Sequence, residues 1–190
     1  MTTLDSVTNI VVAGLGGQGV IKASDIIADA AFRSGLDVKK SEIHGMSQRG
    51  GSVASDVRFG RCVHSPMVPA GEADFLLVLA PDQVDNNRHM LRPGGVLIAP
   101  DLIDAAQLAN PRSLNVALVG ALSALLPLDP TAWREALHAS LPAKARAAND
   151  AAFALGRAAA ARLGTPTPTT AAARLGAPAP RTVAVSSALP

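Results

Sequence analysis

A glycine-rich segment directly follows a short apolar run near the amino end of the chain. The run at residues 10–13 leads into GLGGQG at 14–19, and a helical pattern of apolar residues begins at once behind it. A strand that turns on glycines into a helix leaves backbone N–H groups at the positive end of the helix dipole, where a phosphate or another anion binds well. Gly14 and Gly16 allow the tight turn, and Gly19 lets the helix pack close to the strand.

The same glycines have a second interpretation, in which they only pack a helix on a strand and bind no ligand. Gln18 favours a ligand, because its side-chain amide lies beside Gly17 and the free N–H groups of the turn. An NAD site also requires an aspartate or glutamate about 20 residues past the motif. Glu42 has that position, but the adjoining Lys39 and Lys40 make its strand polar and argue against NAD.

A second unusual segment, HGMSQRGG at residues 44–51, fits neither helical nor strand periodicity and is predicted to be a loop. Its Arg49 is suited to a bidentate contact with a phosphate or a carboxylate. The alternative is a loop that docks on another protein, with Arg49 in an ordinary ion pair. The two interpretations are compatible.

The elements that must position these segments alternate between strand and helix. Apolar patterns predict strands at 10–13, 37–43, 52–59, 74–80 and 96–99, and helices at 20–34, 81–91, 115–126, 130–141 and 149–163. The strand at 52–59 alternates and is expected near a sheet edge, whereas the apolar run at 74–80 is typical of a central parallel strand. We therefore predict an α/β fold, a three-layer sandwich with a mostly parallel, Rossmann-like sheet. Ligands of such sheets bind beyond the carboxyl ends of the strands, so both unusual loops and the turn at Pro81 should meet at one edge.

The amino-acid composition and net charge of the chain limit its possible functions. The chain has 190 residues, 48% of them hydrophobic, which is enough for one core. Its net charge of +2 comes from Arg174 and Arg181 near the carboxyl end, so the remainder is neutral and no nucleic-acid partner is expected. Residues 1–8 are expected to be a flexible terminus and the Ala/Pro-rich residues 165–190 a disordered tail.

Cys62 is the only cysteine, which argues against a disulfide framework, a Cys-rich zinc site or an iron–sulfur cluster held by this chain alone. No signal-peptide pattern or long apolar run is present, so we expect a cytoplasmic protein without a membrane partner. No pair of carboxylates or nucleophile with its base is visible. We therefore predict no catalytic residue and no metal site in this chain.

Several strings are similar to one enzyme family. They are GLGGQGV, SEIHGMSQRGGSVASDVRFG, SPMVPAGEADFLLVLAP, NVALVGALSALLP and PAKARAANDAAFALG. Together, across residues 9–164, they resemble the gamma-type catalytic domain of 2-oxoacid:acceptor (ferredoxin) oxidoreductases, most closely the beta-subunit group of indolepyruvate ferredoxin oxidoreductases. The string HGMSQRGGS is the most specific of them.

The resemblance implies an enzyme complex that oxidatively decarboxylates a 2-oxoacid to an acyl-CoA. Thiamine diphosphate, Mg²⁺ and [4Fe–4S] clusters would reside in partner subunits, and ferredoxin or another acceptor would take the electrons. The single cysteine and the lack of a GDG…N segment agree with the placement of these cofactors in partner subunits.

The resemblance also implies that this chain closes the active site and helps bind coenzyme A at a shared site. The matching positions lie in the glycine turn, the second loop and a later helix. They are Gly14, Gly16, Gly17, Gln18, Gly19, Ser47, Gln48, Arg49, Gly50, Gly51 and Asn115. For Asn115, simple capping of its helix is the alternative.

One departure concerns residues 101–114, a short bridge where the indolepyruvate type has a longer segment. An arylglyoxylate such as phenylglyoxylate is therefore as plausible a substrate as indolepyruvate. A stand-alone NAD(P)-binding Rossmann oxidoreductase and a ligand-free scaffold subunit remain the alternative functions. A methyltransferase and a ubiquitin-activating-like fold fit less well, since the expected acids and cysteines are missing.

Overall fold

The computed structural model of the protein describes residues 7–44 and 50–163. The expectations for most of the amino terminus and for the tail at 165–190 lie outside these residues. So do the predicted ligand contacts of Ser47, Gln48 and Arg49.

The described chain forms one five-stranded sheet in the order β2-β3-β1-β4-β5. The strands are β1 (Thr8–Leu15), β2 (Asp37–His44), β3 (Ser52–Gly60), β4 (Ala73–Val78) and β5 (Leu91–Ile98). β1 pairs in parallel with β4, and β4 with β5, whereas β3 is antiparallel to both β1 and β2. Four strands therefore run in one direction and β3 runs against them. The predicted α/β class with a mostly parallel sheet is confirmed.

The strand predicted at 52–59 was expected near a sheet edge, and β3 is the second strand from that edge. β3 lies between β1 and β2, so β2 is the edge strand and is separated from β1. Its alternating pattern does not mark a solvent-facing side, because β3 is buried on both faces: Val57 and Phe59 enter one core, and the polar Asp56 is 3% exposed on the other face. A buried carboxylate looks like a solvent-facing residue in a pattern of polar and apolar letters.

The helices are α1 (Val20–Arg33), α2 (Val84–Asn87), α3 (Leu114–Leu125), α4 (Pro130–Ser140) and α5 (Arg146–Ala159). The predicted continuous helix at 81–91 is instead a short α2 between two 3₁₀ turns, Pro81–Gln83 and Arg88–Met90. The other four lie within a few residues of their predicted positions.

β5 begins earlier than the strand predicted at 96–99 and includes the Pro-Gly-Gly sequence at 93–95. Pro93 is tolerated because β5 is an edge strand, where a missing N–H need not break the sheet. A Cβ at Gly95 would lie 2.9 Å from the carbonyl oxygen of Ala73 on β4, so glycine permits the close approach of the two strands.

Apolar side chains cover both faces of the sheet. The larger core joins Ile10 and Val12 of β1 to buried residues of α1, α3 and α4, among them Ile27, Leu118 and Trp133. A smaller core on the opposite face is covered by a thinner layer formed by the loop at Val68 and the segment around α2. Because α1 packs directly on the sheet, its first residues are fixed at the carboxyl end of β1.

Candidate functional site

The glycine turn has the local geometry that the motif predicts. Gly17 and Gly19 have φ values of 93° and 86°, which side-chain-bearing residues rarely adopt. Gly19 is the N-cap of α1, and no side chain of the described residues caps the helix there. The N–H of Ala23 donates to the Gly19 carbonyl at 2.9 Å, so the N–H groups before it lie at the positive end of the helix.

Gln18 holds the turn together. Its Oε1 accepts the Leu15 N–H at 2.8 Å, while its own backbone N–H donates to the Leu15 carbonyl at 3.1 Å. A Cβ on Gly14 would lie only 2.9 Å from the same Oε1. The carbonyl half of the Gln18 amide therefore shapes the turn, and glycine at position 14 leaves room for it.

The second loop ends directly against this turn. The N–H of Gly16 donates to the Gly51 carbonyl at 2.9 Å, and a Cβ on Gly16 would stand 3.5 Å from the Gly50 nitrogen. The glycine turn and the last two residues of the second segment, Gly50 and Gly51, thus lie side by side at the carboxyl end of β1. One expectation changes: the Gly16 N–H is used inside the protein and is not free for an anion.

Asn115 lies on the first turn of α3 and faces the glycine turn. Its Nδ2 donates to the Gly19 carbonyl at 3.4 Å, and its Oδ1 accepts the Val116 N–H at 2.9 Å. A Cβ on Gly19 would collide with Asn115 Nδ2. The structure therefore brings Asn115 to the predicted edge by direct contact with Gly19, although Ser113, not Asn115, occupies the N-cap of α3.

Two further residues at this edge were not predicted as site residues. Ser52, the first residue of β3, donates its hydroxyl proton to Gln83 Oε1 at 2.8 Å. Gln83 lies in the 3₁₀ turn that follows β4 and is 6% exposed. The predicted convergence of the turn at Pro81 with the other loops was the available signal. We call the glycine turn at 14–19, Gly50, Gly51 and Asn115 the rim.

Among the described residues, the rim is an open surface. Gly16, Gly17 and Gln18 are exposed, as is Gly50. Within residues 7–44 and 50–163, no group of three metal-ligating side chains is present. The only cysteine of the chain, Cys62, is exposed and lies 3.6 Å from His64 Nε2. No helix of the described part is long and apolar enough to cross a membrane.

Glu42 does not reach the glycine turn in the manner of an NAD-binding acid. It lies on the edge strand β2 with β3 between it and β1, and its Oε1 pairs with Lys40 Nζ at 2.7 Å. Burial tends to lower the pKa of Lys40, but hydrogen bonds to Asp25 and Glu42 raise it above the ordinary lysine value. The carboxylate thus belongs to a charged cluster along β2.

Comparison with known proteins now gives the family. Residues 9–159 match the family model described as pyruvate ferredoxin/flavodoxin oxidoreductase. The chain belongs to this family. It is 35% identical over 192 aligned positions to the indolepyruvate oxidoreductase subunit IorB of Thermococcus kodakarensis, covering 80% of this chain and 95% of the relative. The alignment has 192 positions, more than the number of residues in 80% of this chain. The relative therefore contains residues that have no counterpart in this chain.

Solved structures agree with the family. The fold superimposes on the gamma subunit of a keto/oxoacid ferredoxin oxidoreductase from Geobacter sulfurreducens with a TM-score of 0.69 and 27% identity, covering 81% of this chain and 98% of that one. It also matches 2-oxoglutarate:ferredoxin oxidoreductase from Magnetococcus marinus, a structure with coenzyme A bound, with a TM-score of 0.73 and 24% identity. That match covers 84% of this chain and 32% of the other, and it shows the shared fold. The predicted resemblance is confirmed at the level of the family and the gamma-type fold.

Proposed function

We propose that this chain is the subunit without redox cofactors in a 2-oxoacid:acceptor oxidoreductase complex, in which it helps bind coenzyme A and close the active site. The reaction is the oxidative decarboxylation of an aryl 2-oxoacid, such as indolepyruvate or phenylglyoxylate, to its acyl-CoA. Ferredoxin or a similar acceptor takes the electrons. The IorB relatives support the indolepyruvate-type substrate, and the coenzyme A complex of the Magnetococcus enzyme supports the ligand.

The observation that carries the proposal is the contact between Gly16 and Gly51. It joins the glycine turn and the end of the second loop at the start of α1, where Gly19 is the N-cap. The phosphates of coenzyme A need N–H donors and positive charge, and the helix start supplies both. Arg49 is one residue before Gly50 in the sequence, so we propose it as the side chain that adds a guanidinium.

The donor set of the chain does not fit the remaining cofactors. A [4Fe–4S] cluster takes four thiolates, and the sequence has one cysteine. The described residues offer no cluster of acidic, histidine or cysteine side chains for Mg²⁺ with thiamine diphosphate. Thiamine diphosphate supplies the decarboxylation chemistry when bound, and we place it and the clusters in partner subunits. The exposed rim agrees with a site that a partner completes.

The proposal is tested by replacing Arg49. The tagged chain is purified with its partner subunits and assayed for 2-oxoacid-dependent reduction of ferredoxin, with indolepyruvate and phenylglyoxylate tested in parallel. Arg49→Ala should raise the apparent KM for coenzyme A about tenfold or more, since a hydrogen bond to a charged group contributes about 1.5–3 kcal/mol. Arg134→Ala, which removes an exposed arginine from α4, serves as the matched control and should leave that KM unchanged.

Two results would count against the proposal. An unchanged coenzyme A dependence in Arg49→Ala would assign the loop to protein docking, as in the scaffold alternative. Decarboxylation of either 2-oxoacid by the purified chain alone would contradict the division of cofactors among subunits.

A further inference from the structure

The hydrogen bond between Ser52 and Gln83 links three segments that are far apart in the sequence. Gln83 follows the carboxyl end of β4, Ser52 opens β3, and the adjoining Gly51 accepts the Gly16 N–H. The distances along this series are 2.8 Å from Ser52 Oγ to Gln83 Oε1 and 2.9 Å from the Gly16 nitrogen to the Gly51 oxygen. Gln83 therefore reaches the glycine turn through only two hydrogen bonds.

Gln83 is itself held firmly. Its side chain is buried, its backbone N–H donates to the Ala80 carbonyl at 3.0 Å, and its carbonyl accepts Asn87 Nδ2 at 2.8 Å. The residue before Ser52 is different: Gly51 is only partly buried, and Gly50 is exposed with a φ of 67°. A rigid acceptor thus meets a strand end that follows two glycines, which have the greatest backbone freedom of any residue.

We propose that Gln83 is a positioning residue for the rim: through Ser52 it fixes the Gly51 carbonyl against the Gly16 N–H and so sets the shape of the glycine turn. The inference rests on the proposed function only for its effect on coenzyme A. The N–H groups of the turn bind an anion only in one backbone conformation. If the turn is disordered beforehand, ordering it on binding costs free energy and weakens the affinity. Gln83 and Ser52 are thereby assigned a role in ligand affinity without touching the ligand.

The test measures the turn and the ligand separately. Amide exchange at Gly16 is followed in the full chain, and the KM for coenzyme A and kcat are measured in the purified complex. Gln83→Leu and Ser52→Ala each remove the hydrogen bond. Since such a bond contributes about 1 kcal/mol, each variant should speed Gly16 exchange and raise the KM about fivefold, with kcat unchanged.

Three further variants test whether the effect comes from the hydrogen bond between Ser52 and Gln83. Ser52→Thr keeps the hydroxyl and should restore both values to near those of the unmodified protein. Gln83→Leu combined with Ser52→Ala should be no worse than either alone, because both remove the same contact. Ser34→Ala is the control: it deletes a hydroxyl that donates to the Ala30 carbonyl at the far end of α1, and it should leave Gly16 exchange and the KM unchanged.

Unchanged exchange at Gly16 in both Gln83→Leu and Ser52→Ala would overturn the inference. So would faster exchange throughout the chain, including α3, because Gln83 would then only stabilise the fold. Faster exchange confined to the turn, with an unchanged KM, would support the positioning role and would count against coenzyme A as the ligand of the rim.

Discussion

The two ends of the sheet are built in different ways. At the amino ends of β1, β4 and β5, charged and polar side chains bind one another within the protein. At the carboxyl end of β1, the described contacts include backbone hydrogen bonds of glycines, and the side chains of Gln18 and Asn115 bind backbone groups. The first arrangement holds a structure together, whereas the second leaves a surface on which another molecule can bind.

The amino-end cluster is centred on Asp74, the second residue of β4. Its Oδ2 accepts the Asn9 N–H at 2.8 Å, and its Oδ1 accepts Arg92 Nε at 2.7 Å. Asn9 in turn accepts Arg58 Nε at 2.9 Å and donates to the Glu72 carbonyl at 3.0 Å. Asn9 is fully buried and Asp74 is 7% exposed, so each of these polar groups depends on its partners.

The rim has few comparable side-chain contacts. Gln18 and Asn115 are its main side-chain contributors, and each uses its amide on backbone groups. We infer from this difference that substitutions in the amino-end cluster mainly lower the stability of the chain. Substitutions at the rim should lower its stability less and its affinity for a ligand more.

The largest expected loss of stability is at the amino end. Asp74→Ala would leave Arg92, whose side chain is only 11% exposed, beside an unpaired Asn9 N–H. Breaking a buried ion pair on one side typically costs 3–5 kcal/mol, so we expect a loss of about 3 kcal/mol in the free energy of unfolding, measured with urea. The control is Asp85→Ala, which removes a 93% exposed carboxylate 3.7 Å from Arg88 and should change stability negligibly. Equal losses in the two variants would contradict the comparison.

A smaller loss of stability is expected at Gly19. Gly19→Ala would place a side chain at a φ of 86° and push it into Asn115 Nδ2. Gly35→Ala is a matched control, since its φ is 80° and no atom of the described residues lies within 4 Å of the new Cβ. The backbone strain alone costs about 1 kcal/mol, so Gly35→Ala should lose about that amount and Gly19→Ala about 2 kcal/mol by thermal unfolding.

Only Gly19→Ala should also weaken coenzyme A binding in the complex. If Gly35→Ala weakened it as much, the effect would come from the fold as a whole and not from the rim.

The smallest effect concerns Asp56, whose carboxylate accepts the Val68 N–H at 2.8 Å beneath the thinner layer. Burial raises its pKa above the ordinary aspartate value, against the opposing effects of that hydrogen bond and of Arg58. Because the folded protein binds this proton more tightly than the unfolded chain, stability falls as pH rises from the ordinary pKa through the raised one. Asp56→Asn keeps an acceptor and should gain stability relative to the unmodified protein over that window.

Asp37 provides the opposite case for the same measurement. The hydrogen bond from the Val63 N–H, with Lys39, lowers the pKa of Asp37. Its contribution to stability is present above the ordinary pKa and is lost as pH falls through the lowered one. Urea unfolding is measured at pH 4 and pH 7. At pH 7, Asp37→Asn should be less stable than the unmodified protein, whereas Asp56→Asn should be more stable than it. The same sign for both would contradict the assigned environments.

Local sequence determined the glycine turn, the α/β class and the approximate positions of four helices. These features depend on neighbouring residues: glycines that permit a positive φ, and apolar side chains repeated at helical or strand spacing. The family was likewise readable from the strings around the turn and the second loop. The sequence did not predict that β3 lies between β1 and β2 and runs antiparallel to both, because strand order and direction depend on pairing between distant segments.

Only the tertiary structure decided which groups remain available at the rim. It shows the Gly16 N–H donated to Gly51, Gln18 turned back to Leu15, and Asn115 held on Gly19. It also introduced Gln83, which is 31 positions from Ser52 in the sequence. Such contacts form where the ends of strands meet in space, and no periodicity along the chain encodes which residues meet there.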